Sequence, residues 1–193
     1  MTIKASSKLI KDIKSVPSPV FYIFAAVALF SAFFVQGFSL SSVFTALFLL
    51  LLVACACADI NKGIVPDLLI ILIAVLGVIN FTVVEGVTTQ GLINHLIAAA
   101  CVSAPMLILA LLIKGAFGGG DIKLVSAAGL YLGLSLVITG SLIGFLLSGL
   151  YGIYLLLFKK AKAKSRIKLA PFLAYGLAVA ALFGEVIVVT FYS

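Results

Sequence analysis

From Leu124 to Phe158 the chain runs for 35 residues without a charged side chain, and no single helix can absorb that length. At 1.5 Å per residue it would measure about 52 Å, against a hydrocarbon thickness of about 30 Å. The stretch must therefore turn back on itself, and Tyr131-Leu132-Gly133-Leu134-Ser135 is the best place. Composition says what solvent such a chain is built for. Of its residues 64% are hydrophobic and only 10% charged, and the mean hydropathy is +1.37, values of a membrane protein.

Apolar runs between polar breaks place segments near 17–36, 39–57, 66–84, 91–113, 122–133, 135–158 and 170–191. The expected fold is all-α: a polytopic membrane helical bundle of about six to seven transmembrane segments, forming one domain over 1–193 with no room for a separate soluble one. The segment 122–133 is short, tilted or sunk within the protein. Helices in such a bundle pack through small residues and interhelical hydrogen bonds.

Charge sets the orientation. With the N-terminus cytoplasmic and seven alternating segments, all 13 Lys and Arg fall inside. They lie in the basic N-terminal segment 1–16, at Lys62, at Lys114 and Lys123, and in the basic loop 159–169 that carries Lys159 to Lys168. The net charge of +7 is thus segregated to one face, which points to topology and anionic lipid headgroups rather than nucleic acid. The basic loop is most simply a stop-transfer signal, with partner binding as the alternative. The first hydrophobic run follows a basic start but precedes no convincing cleavage site, so it reads as a retained helix. "SVPSP" fits an interfacial entry to it.

Cysteine and histidine offer little chemistry. Cys55 and Cys57 point to different sides of a helix and Cys101 lies in another segment, so packing is the simplest role and no metal or cofactor is expected. His95 is the only histidine, expected at the outer interface, where a Ser-His or zinc mechanism lacks its second half.

Six acidic residues remain. Asp12 sits among lysines, Glu85 in an outer loop, and Glu185 toward the outer end of the last segment. Asp59, Asp67 and Asp121 all fall near the cytoplasmic ends of spans, where an ionisable group is a functional candidate. Asp59 closes "LLLVACACAD", and Asp121 closes the run Gly118-Gly119-Gly120 and opens the next helix. Two carboxylates brought together share a proton, so one can activate water while the other protonates the leaving group. That is aspartic peptidase chemistry, and the pair would titrate as a unit. The triple glycine permits positive φ and close approach of another chain, making room for Asp59 and an extended substrate. Equally, it is a loop before an Asp N-cap. Asp67, after Pro66, supports a helix N-terminus or binds substrate. Lys123 orients substrate and tunes the pair, or anchors the helix at the membrane surface.

These residues carry a resemblance. "GGGDIKLVSAAGLYLG" resembles the GxGD motif of type IV prepilin peptidases, "ADINKGIVPDLL" is similar to that family's other catalytic segment, and "KLAPFLAYGLAVA" resembles its Pro-Phe-Leu-Ala-x-Gly block. The three occur in the family's order and cover most of 50–180. The resemblance implies a plasma-membrane aspartic endopeptidase that cleaves the basic leader of prepilins, pseudopilins or preflagellins on the cytoplasmic side. Asp59 and Asp121 would be catalytic, with Gly118 and Gly120 filling the glycine positions of GxGD. Larger members carry paired CxxC motifs and also methylate the new terminus. This chain has neither the insertion nor those cysteines, so methyltransferase activity is not expected. Competing readings are a small transporter relaying protons or cations through intramembrane carboxylates, a presenilin-type protease, and a non-enzymatic pilus-assembly component.

Overall fold

The computed structural model describes residues 19–113, 115–158 and 168–184, with Val186 and Val189 besides. The N-terminal lysines, Lys114, Glu185 and the basic loop up to residue 167 lie outside them. Among the described residues the fold is all-helical: α1 Pro19–Gln36, α2 Leu40–Lys62, α3 Asp67–Asn80, α4 Thr89–Cys101, α5 Ser103–Leu112, α6 Gly119–Leu132, α7 Leu134–Phe158 and α8 Ala170–Leu182. Four stretches are long and apolar enough to cross a membrane: α2, α3 with its extension to Glu85, α4 with α5, and α7. The fold is the membrane helical bundle that the apolar runs predict.

Local chemistry explains the boundaries. Ser39 and Ser42 form a reciprocal cap at the start of α2. The helix ends where Gly63 turns left-handed at φ +67° and its N–H bonds the Asp59 carbonyl at 2.8 Å. The long uncharged run breaks at Gly133, φ +74°, within the expected turn. The expected segment 91–113 is not one continuous helix. It breaks at Val102, because Pro105 has no N–H to give to the Cys101 carbonyl four residues back; beside the break the Ser103 hydroxyl bonds the Ala99 carbonyl.

At 14 residues α6 is too short to span alone, about 21 Å, and it is wrapped by α3, α4 and α7. Its Leu124, Val125, Ala128 and Tyr131 join Phe48, Leu49 and Leu52 of α2 and Leu173 and Leu177 of α8 in one core. Tyr131 stacks on Phe48 at 4.1 Å and meets the Thr45 hydroxyl at 3.3 Å. Small residues set the helix spacing. A side chain at Gly129 would strike the Ala98 carbonyl oxygen at 2.6 Å, and one at Gly176 the Gly144 nitrogen at 2.6 Å. Large apolar side chains such as Phe30, Phe34, Leu111 and Leu157 face outward, as lipid contact requires.

Candidate active site

Three helix ends converge at one end of the bundle: the C-terminus of α2 with Asp59, the N-terminus of α6 with Asp121, and the N-terminus of α8. Asp59 and Asp121, 62 positions apart in sequence, lie within electrostatic reach of each other. Asp59 is only 7% exposed, and its Oδ2 is sealed from solvent without a hydrogen-bond partner. Such an orphan carboxylate oxygen is costly, and costly arrangements persist mainly at functional sites. Asp121 is half-buried.

The three glycines separate into different roles. Helix α6 opens at Gly119, two residues ahead of Asp121, and Gly118 is its cap residue with φ −76°. None of Gly118, Gly119 and Gly120 is among the residues with positive φ, so the expected left-handed backbone is not what they supply. Helical pairing of Asp121 N–H with the Gly118 carbonyl at 3.1 Å accounts for the geometry instead. Clearance is the property that two of them share. A Cβ on Gly118 would meet Asp121 Oδ2 at 2.9 Å, and one on Gly120 would meet Val65 Cβ at 3.1 Å. A Cβ on Gly119 would meet nothing within 4 Å. Gly119 thus borders open space beside the aspartates.

The link between α2 and α3 seats this corner. Val65 is buried against Gly120. Pro66 caps α3, its carbonyl accepting from Leu69 N–H at 3.1 Å. Asp67, the first residue of α3, pairs with Lys123 of α6 at 2.7 Å, with both side chains more than half exposed. Lys123 therefore bridges two helix starts. The structure places Asp67 and Lys123 against each other, and no bond between either of them and the aspartates is seen among the described contacts.

Sequence reasoning missed the wall that α8 contributes. The Ala170 backbone and the Lys168 ammonium both face Asp59, and Lys168 Nζ also donates to the Ile60 carbonyl. The available signal was position: Lys168 is the last cation of the basic run, three residues before the Pro-Phe-Leu-Ala block that starts at Pro171. A second polar cluster was also missed, at the opposite end of the bundle. His95 is buried rather than interfacial. Its Nε2 meets Glu85 Oε2 at 3.0 Å and its Nδ1 meets the Leu130 carbonyl at 2.9 Å. Asn80 donates to the other Glu85 oxygen at 3.0 Å. Glu85 belongs to a π-helical turn, Phe81–Glu85, not to a free loop.

No curated protein and no solved structure matches the chain. The model of the type IV leader peptidase family matches residues 46–153, more than half of the 193 residues, and that stretch contains Asp59, Asp121 and the run Gly118-Gly119-Gly120. The chain belongs to the type IV leader peptidase family.

Proposed function

We propose that this protein is a membrane aspartic endopeptidase of the plasma membrane that removes the basic leader peptide from type IV prepilin-like substrates at the cytoplasmic face. The single observation that carries the reading is the meeting of Asp59 and Asp121 at one end of the bundle. One carboxylate takes a proton from water while the water oxygen bonds the scissile carbonyl carbon, and the protonated partner gives its proton to the carbonyl oxygen. The C–N bond then breaks as the amide nitrogen takes a proton from the pair, which releases an amine and a carboxylic acid. No cofactor enters these steps.

The face follows from charge. Lys62, Lys123 and Lys168 stand at the same end of the bundle as the two aspartates, the end that the positive-inside rule puts in the cytoplasm. A substrate with a charged leader and a hydrophobic helix would present its junction there. Charged side chains among the described residues sit at helix ends, which disfavours a transport pathway with carboxylates near mid-bilayer.

The test incubates purified protein in detergent with a prepilin-like substrate bearing a short basic leader ahead of an apolar helix. Cleavage at the junction should occur with the native protein and fall by at least about a thousandfold in Asp59→Asn and in Asp121→Asn, since each removes a member of the acid–base pair. Full cleavage by either variant would sink the dyad.

A further inference from the structure

We infer that Lys168 is a positioning residue for Asp59: it closes the last turn of α2 and holds a positive charge beside the carboxyl that the hydrolytic pair uses. The inference rests on the dyad reading above and extends it to a residue outside the stretch that the family model matches.

Two contacts place Lys168. Its Nζ donates to the Ile60 carbonyl, one residue past Asp59. The last four carbonyls of a helix lack intrahelical partners, and a lysine ammonium at that end both satisfies one of them and complements the negative end of the helix. The same ammonium lies within electrostatic reach of Asp59. The strap from Lys168 to Ala170 therefore ties the start of α8 to the end of α2 beside Asp59.

The start of α8 explains why the strap needs Asp59 in return. Its cap residue, Leu169, offers no side-chain acceptor, and Pro171 in the first turn has no N–H. Phe172 and Leu173 N–H groups already bond the Leu169 carbonyl at 3.0 and 3.1 Å. The Ala170 amide, the first N–H of the helix, is left facing Asp59. Among the described residues the charged groups around Asp59 are then Asp121 from α6, Lys168 ahead of α8, and Lys62 on its own helix, while Asp67 and Lys123 pair with each other. Helix α1 carries no charged side chain over Pro19–Gln36. Among the described residues Lys168 is the cation whose field reaches Asp59, and Asp121 is the neighbouring anion.

A nearby cation keeps a carboxyl ionised to lower pH, so neutralising Lys168 leaves Asp59 protonated to higher pH. Carbodiimide modifies protonated carboxyls, and peptide mass spectrometry reads its attachment at Asp59 separately from Asp121. With pure protein in detergent, the pH midpoint of Asp59 labelling should rise by about one unit in Lys168→Met and stay near the native value in Lys168→Arg. The acid limb of the cleavage profile should move in the same direction. Lys168→Gln keeps a donor for Ile60 without the charge, so it should shift the midpoint like Lys168→Met while retaining the native thermal midpoint, and it carries the test if Lys168→Met does not fold. Native midpoints in both Met and Gln variants would overturn the inference even where cleavage depends on Asp59 and Asp121. If the native protein cleaves no substrate, the dyad reading fails, and the labelling midpoint still decides the role of Lys168.

Discussion

Gly118 and Gly119 are adjacent, chemically identical, and predicted to respond oppositely to the same substitution. Alanine at 118 places a Cβ 2.9 Å from Asp121 Oδ2, and the next atom it meets is the Asp121 Cγ at 3.7 Å. The backbone there, at φ −76° and ψ 139°, accepts any residue, so the whole effect must come from displacing the carboxyl. Moving the oxygen out by a few tenths of an ångström means turning the side chain away from its rotamer well, at a cost of about 0.5–1.5 kcal/mol. If that cost falls on the reactive geometry alone, the rate drops by about twofold to twelvefold. Misplacement of the reacting oxygen would carry it toward a hundredfold. Alanine at 119 meets nothing within 4 Å and stands in the first turn of α6, where it should raise helix stability by about 0.5–1 kcal/mol. Initial cleavage rates at saturating substrate, with thermal midpoints for each variant, separate the two. The expected result is a turnover lower by about twofold to a hundredfold for Gly118→Ala at a near-native midpoint, and native turnover for Gly119→Ala. Equal turnover in the two variants would refute the clearance argument.

Two further perturbations probe the surroundings. The Asp67–Lys123 pair is 69% and 58% exposed, so its loss should cost at most about 1 kcal/mol. Asp67→Ala and Lys123→Ala should each lower cleavage by less than about fivefold, and a hundredfold loss would instead mean that the pair touches substrate. Glu85→Ala removes the acceptor of both His95 and Asn80, a loss of about 1–3 kcal/mol for buried donors left unmet. Its thermal midpoint should drop by several degrees while cleavage below that temperature stays within about twofold of native, because the cluster lies at the far end of the bundle; a large rate loss at an unchanged midpoint would contradict that separation.

What the sequence revealed and what it hid divide along a physical line. Hydrophobic length is a one-dimensional property, so the seven apolar segments and the turn at Gly133 were legible, and α6 is short for the reason foreseen. Elimination singled out Asp59 and Asp121 because a membrane chain tolerates few carboxylates, and each has to be accounted for. Tertiary neighbours were not reachable. Nothing local says that the Gly120 hydrogen faces Val65, that Lys123 meets Asp67, or that Lys168 reaches Ile60 across 108 positions. Positive φ was the wrong reason for the glycines, since a helix start and a crowded corner both select glycine without it. The Glu85–His95 contact was hidden because a π-helical turn carries Glu85 back toward α4, and no simple periodicity announces such a turn.

If Asp59 and Asp121 are the hydrolytic pair proposed above, their placement at helix ends meets a difficulty that a membrane hydrolase faces. Two carboxylates and a water cannot be kept at mid-bilayer without large desolvation costs, yet a fully exposed pair would be diluted by solvent screening. The ends of α2, α6 and α8 offer an intermediate setting. Each terminus has backbone groups without intrahelical partners, and here they are spent on one another: Gly63 N–H on the Asp59 carbonyl, Lys168 on the Ile60 carbonyl, and the Ala170 amide facing the Asp59 side chain. The site is therefore assembled by the same contacts that terminate its helices. A variant that loosens one of those ends, at Lys168 or Gly118, should impair the chemistry well before it unfolds the bundle, because the core of Phe48, Leu52, Leu124 and Leu173 does not depend on them.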